Sequence, residues 1–153
     1  MGLVRSIAAV LSRFTGRASP SPEPGQNPDQ WLGRRGEDLA ARHLRQYGYK
    51  VLYRNFRAPR GGEVDIVCRD KTCGELVFIE VKTRRTLDYG TPASAVKLDK
   101  QKLIARGALA WLRLLGNPDI HFRFDIVEVL IDETGESLNI VRNAFTLPEP
   151  YRY

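Results

Sequence analysis

Sulfur and imidazole are scarce in this chain. Two cysteines and two histidines among 153 residues cannot assemble a four-ligand zinc site unaided, and Cys68 and Cys73 lack the Cys-x-x-Cys spacing of such sites. The pattern suits a cytoplasmic, disulfide-free protein in which Cys68 is a small core residue and Cys73 a turn residue. Long apolar runs are missing too. None approaches the roughly 18 residues that would span a bilayer, and Leu103 to Gly116 is interrupted by Arg106 and Arg113. No glycine-rich phosphate loop is present, Gly61-Gly62 being too short for one. His43 and His121 have no Ser, Cys or metal-ligand partner at a recognisable spacing, which argues against a catalytic imidazole.

Basic charge is abundant. The formal charge is +6 and the isoelectric point about 9.6. Between residues 34 and 60, Arg34, Arg35, Arg42, Arg45, Lys50, Arg54, Arg57 and Arg60 meet only Glu37 and Asp38. Such a concentration points to a polyanionic partner, the plainer alternative being a solvated helix face with its loops.

Against this basic background, Glu63-Val-Asp65 and Glu80-Val-Lys82 place carboxylates and an ammonium inside apolar segments. Val64, Ile66, Val67, Val77, Phe78, Ile79 and Val81 read as two strands buried on both faces, where charge is costly unless paired or bound to an ion. A turn over residues 71–74 sets Asp70 against Glu75, Asp65 against Glu80 and Glu63 against Lys82. Opposed carboxylates repel, and a divalent cation between Asp65 and Glu80 would reverse the sign of that interaction. Lys82 then shares a face with Glu80.

Along the chain, Ser19 to Pro28 is proline-rich and reads as a flexible linker, so residues 1–30 form an extension. Its opening, Met-Gly-Leu-Val-Arg-Ser6, fits a myristoylation pattern. Ile7 to Leu11 is too short for a signal core of about 7–15 residues, and an untargeted extension is expected. A helix is predicted from Asp29 to Tyr47, capped by Asp29 or Gln30 and ended by Gly48. Strands follow at 50–56 and around Asp65 and Glu80. A second helix spans about Ala93 to Leu115, and two more strands cover 121–130 and 138–143. The order is αβββαββ, an α/β fold, with residues 146–153 as a frayed tail.

The helix stripes carry further candidates. Glu37 falls in line with Ala40, Ala41 and Leu44, so it faces the sheet, and Gly36 beside it allows a close backbone approach. Lys97 and Gln101 share the stripe of Ile104, Ala108, Leu112 and Leu115 at the end that overhangs the loop leaving Lys82, where either could orient a phosphate or a water. Lys100 and Lys102 read as solvated. Arg84 and Arg85 leave the site directly and suit phosphate. Asp125, in Arg123-Phe-Asp125, reads as a structural ion pair or a cap on a neighbouring backbone group.

An Asp, then Glu-x-Lys on the next strand, between a helix bearing Glu and a second helix, resembles the PD-(D/E)xK nuclease superfamily. Within it, Gly33-x-x-Gly36-Glu37-x-x-Ala40, Asn55-Phe56-Arg57, Gly61-Gly62-Glu63-Val-Asp65, Phe78-Ile-Glu80-Val-Lys82, Arg123-Phe-Asp125 and Asn143-Ala-Phe145 are similar to the YraN family. The superfamily's proline is replaced by Val64, at a position that carries no metal chemistry. The resemblance covers residues 31 to 145. It implies a restriction-endonuclease-like core, a mixed five-stranded sheet flanked by helices.

It also implies a Mg²⁺-dependent endonuclease, with Mn²⁺ as substitute, acting on nucleic acid, DNA above RNA. By analogy with archaeal Holliday-junction resolvases, branched or structured DNA is the expected form. Asp65, Glu80, the Val81 carbonyl and Glu37, directly or through water, would hold the metal. Lys82 would serve the chemistry, and Arg34, Arg35, Arg84, Arg85, Lys97 and Gln101 would contact the backbone. Symmetric cutting of a junction would require a homodimer, whose interface no stripe marks. Two alternatives stand beside this one: a nucleic-acid-binding module of the same fold without hydrolysis, and a structural domain whose charges pair with one another.

Overall fold

The computed structural model describes residues 21–85 and 96–151, together with the backbone of 12–14. The strands are β1 (Ser12–Phe14), β2 (Tyr49–Arg57), β3 (Glu63–Asp70), β4 (Leu76–Arg84), β5 (Phe122–Asp132) and β6 (Gly135–Phe145), and the helices α1 (Pro28–Gln46) and α2 (Leu98–Leu114). They form one sheet in the order β1-β6-β5-β4-β3-β2. Only β4 and β5 run parallel, and α2 makes the crossover between them. The αβββαββ order and the mixed restriction-endonuclease-like sheet are those expected. Three residues of the segment read as an extension add a short sixth strand along β6.

The helices cover opposite faces. Leu39, Ala40, Ala41 and Leu44 of α1 pack with Ile66, Ile79, Val127 and Val129, while Ile104, Ala108 and Leu112 of α2 pack with Val67, Phe78, Phe124 and Ile126. Coverage on both sides explains why β3 and β4 are nearly continuous apolar runs. Leu115, placed in the α2 stripe by its spacing, lies beyond the helix and is exposed. No described helix is long and apolar enough to cross a membrane.

Helix boundaries differ slightly from the sequence reading. Asn27, two residues before Asp29 and three before Gln30, caps α1, its side chain accepting from the N–H groups of both those residues at 3.0 and 3.2 Å. Gly48, at φ +87°, follows the end of α1. Val96 and Lys97 precede α2, which opens at Leu98, and Ala93 lies outside the described residues.

Arg123 fixes the β3–β4 turn end of the sheet. It donates to Asp125 through Nε (3.0 Å), to Glu75 through Nη1 (2.7 Å) and to Asp70 through Nη2 (3.0 Å). Asp125 also accepts from the Asn143 N–H at 2.8 Å, so it is both the ion pair and the backbone cap foreseen as alternatives. Despite burial, Thr72 and Arg123 hold the Asp70 carboxyl down at about 2. Asp70 faces Glu75 across the turn, its N–H bonding the Glu75 carbonyl at 2.9 Å, which is the assumed register.

Two glycines set the distance of each helix from the sheet. A Cβ on Gly36 would lie 1.8 Å from Thr83 Oγ1, and one on Gly107 would lie 2.9 Å from the Glu63 backbone. Gly36→Ala therefore sets helix propensity, which favours alanine by up to about 1 kcal/mol, against a clash that costs about 1–3 kcal/mol. The clash wins. Urea unfolding should show a net loss of stability, partly restored by adding Thr83→Ala.

Candidate metal centre and nucleic-acid interface

The β3–β4 ladder runs from Arg69–Leu76 to Ile66–Ile79 and pairs no residues beyond. Past that point the strands part, and Asp65 and Glu80 stand across the opening. Asp65 Oδ2 accepts from the Val81 N–H at 2.8 Å, replacing the missing ladder bond. In extended backbone the N–H and C=O of one residue point to the same side, so the Val81 carbonyl also faces the opening. The Glu63–Lys82 pairing implied by a continuous ladder does not form. Glu63 instead meets Arg57 at 2.7 Å and Lys100.

Each helix brings a charge to one side of the opening. On the α1 side, Glu37 is half-buried beside Asn55, a residue held at φ +54° across from Asp65. Burial and then the Asp65 charge raise the Glu37 pKa, against the Asn55 hydrogen bond and Arg54. Arg34 shares with Glu37 a cavity of about 350 Å³ that Asp38, Arg54 and Asn55 complete. On the α2 side, Lys100 reaches Glu80 Oε1 at 3.5 Å and hydrogen-bonds Glu63. Burial opposes the Lys100 charge, but the carboxylates outweigh it and raise its pKa.

Lys100 was expected to be solvated, and the structure corrects this. Its one-turn spacing before Ile104 was the available signal, and Gln101, three residues before Ile104, fits the same stripe. The long stem of Lys100 reaches over the sheet, whereas Gln101 Nε2 is spent on the Val96 carbonyl at 2.9 Å. Lys97 is exposed at the helix cap. Thr83 meets Gly36 on the α1 side, so strand alternation puts Lys82 on the α2 side with Glu80. The Lys82 side chain makes no hydrogen bond or ion pair among the described residues and is partly exposed.

Arg84 ends β4 and Arg85 follows it, exposed. Arg35 does not face the opening. Its Nη2 bonds Glu136 on β6 at 2.7 Å, a structural ion pair rather than a free phosphate contact. Cys68 is buried, which pushes its thiol up to about 12, and Cys73 is exposed in the turn. His43 is buried and His121 exposed, neither in the site.

The donors suit a hard divalent ion. Glu80 is buried, its Oε2 has no hydrogen-bond partner among the described residues, and burial first and Asp65 second push its pKa up to about 8. An orphaned carboxylate oxygen beside a second carboxylate is an arrangement that a cation stabilises. Among the described residues no three acidic, histidine or cysteine side chains converge as metal ligands, so Glu37 does not join Asp65 and Glu80 in a three-carboxylate cluster. Mg²⁺ is compatible with this sparser set, since it commonly keeps several waters and takes one or two carboxylates.

The fold and this site define an α/β protein with a restriction-endonuclease-like sheet opened at a carboxylate pair. The profile of a family described as "Uncharacterised protein family UPF0102" matches residues 36–129, and the chain belongs to this family, the YraN family. It is 48% identical over 125 residues to a UPF0102 protein of Geobacter sulfurreducens, covering 80% of this chain and 94% of that one. A UPF0102 protein of Chlorobaculum tepidum is 50% identical over 111 residues, 70% of this chain and 83% of the relative. One from Rhodococcus opacus is 45% identical over 115 residues, with coverage of 74% and 95%.

The raised Glu80 pKa has a signed consequence. Between its ordinary value of 4.5 and about 8 the folded state binds more protons than the unfolded one. Stability in chelator should therefore fall as pH rises through that window, being fullest below it. Glu80→Gln, unfolded in urea with EDTA at the two ends of the window, should flatten the decline. An unchanged slope would contradict the assignment.

Proposed function

We propose that this protein is a Mg²⁺-dependent endonuclease that hydrolyses phosphodiester bonds in nucleic acid, DNA above RNA, with branched or structured DNA as the favoured form. The observation carrying this is the pairing of buried Glu80 with partly buried Asp65 at the parting of β3 and β4, with an unpartnered Glu80 oxygen. Asp65, Glu80 and the Val81 carbonyl would hold the metal, with Glu37 acting through water. Mn²⁺ has the same preference for oxygen donors and should substitute. The bound ion supplies Lewis-acid polarisation of the phosphate and a more acidic water.

Lys82, on the Glu80 side of the sheet, orients the attacking water and offsets charge developing on phosphorus. Arg34, Arg84, Arg85 and Lys97 contact the backbone and position it without reading bases. Symmetric cutting of a junction would take two copies of the chain. Free cysteines at positions 68 and 73 fit a reducing cytoplasm.

Lys100 favours a second reading, because its ammonium already lies between Glu63 and Glu80. A module so neutralised would bind nucleic acid within a repair or recombination assembly and leave it intact. Linear, nicked, flapped and four-way DNA incubated with Mg²⁺ or Mn²⁺ separates the two. The nuclease cleaves at least one of them, and Asp65→Ala or Lys82→Ala each lowers the rate by about 10²-fold or more. Intact DNA with salt-sensitive binding identifies the module.

A further inference from the structure

A groove of about 690 Å³ lies between the β2–β3 turn and α2, apart from the carboxylate pair. Phe56, Ala110 and Leu114 give it an apolar floor, and Arg60, Arg106 and Arg113 rim it. These three guanidinium groups are exposed and make no ion pair among the described residues. Leu114 is 74% exposed. Like charges gathered around uncovered apolar surface call for a ligand that is both anionic and flat-faced.

Duplex DNA presents phosphates but keeps its bases stacked inside, so the apolar floor gains nothing from it. An unpaired strand offers phosphates to arginine and base faces to the floor together. The groove is also joined to the acid site. Its Arg57 holds Glu63, Glu63 holds Lys100, and Lys100 reaches Glu80. Along α2, Arg106 and Arg113 stand about 9 and 20 Å from Lys100 at 1.5 Å per residue.

Building on the nuclease reading, we propose that this groove holds single-stranded nucleic acid leaving the Asp65–Glu80 site. The preferred substrate is then a duplex that carries an unpaired tail. The test measures fluorescence anisotropy in EDTA, where no cleavage competes, with a blunt duplex and with the same duplex bearing an oligothymidine tail. The full chain should bind the tailed form about tenfold more tightly, within what one stacked base contributes.

Arg106→Gln/Arg113→Gln should remove most of that preference while blunt-duplex affinity stays within about threefold, because the duplex makes no phosphate contact in the groove and feels the two charges only at long range. Leu114→Ser, which alters no charge, should reduce the preference as well. Both variants change exposed side chains, and their melting temperatures verify folding.

Equal affinity of the full chain for both DNAs, or a preference that survives both variants, overturns the groove assignment and leaves the nuclease reading standing. Arginine-dependent binding of poly-glutamate without any tail preference also overturns it, giving the groove to an acidic peptide. Failure to bind either DNA at low salt removes both readings.

Discussion

The parting of β3 and β4 is the constraint on which the site depends. A sheet that stayed paired to its end would set Asp65 directly against Glu80 and Glu63 against Lys82, with the Val81 N–H and carbonyl spent on the ladder. Here the ladder stops at Ile66–Ile79, and the Asp65 carboxylate takes the Val81 N–H that a β3 carbonyl would otherwise have accepted. Opening one end of a strand pair requires the other end to be held. Arg123 does this, binding Asp70 and Glu75 beside the turn and Asp125 on β5. A largely covered arginine satisfied by three carboxylates keeps the register where the strands are closed, so their divergence is confined to the other end.

The helices exploit this opening from opposite faces. Gly36 lets α1 lie against Thr83, which brings Glu37 to one side of the gap. Gly107 lets α2 lie against the Glu63 backbone, close enough for the Lys100 stem to span to Glu80. An alanine would be the better helix former at either position, so close approach has outweighed propensity twice. Separations fixed by backbone contact are less variable than those set by flexible side chains, and charged groups whose pKa values depend on separation benefit from that rigidity.

Most of the framework was legible because its signals are local. Alternating or continuous apolar runs, Gly48 after α1 and the 71–74 turn gave the element order, and the register followed by counting from that turn. The three-residue β1 carried no such signal, since a strand so short has no periodicity to read. Asp65, Glu80 and the face that Lys82 shares with Glu80 were also legible, charge within an apolar run being conspicuous, but not which helix covers that face. What escaped was long-range. Arg35 looks like any basic helix residue until β6 supplies Glu136, and Lys100 and Gln101 both fit the α2 stripe. Their separation depends on how α2 crosses β3, which the sequence of α2 alone does not determine.

A chain of net charge +6 with two adjacent carboxylates at its candidate centre poses an electrostatic problem. On the proposed reading, arginines on α1, α2 and the β2–β3 turn would draw a polyanion inward, yet its phosphate would bring further negative charge to the place where Asp65 already opposes the charge of Glu80. The structure contains one partial remedy. Lys100 sits beside Glu80 but shares its charge with Glu63, and the Glu80 pKa still rises to about 8, so the remedy is incomplete. A lysine that fully neutralised the pair would have left Glu80 acidic. The residual imbalance is what distinguishes this cluster from the closed Arg123 network at the other end of the sheet, where Asp70 is held at about 2. One set of charges is internally satisfied and reads as structure; the other is not, and on the proposed reading a bound cation would supply the positive charge it lacks.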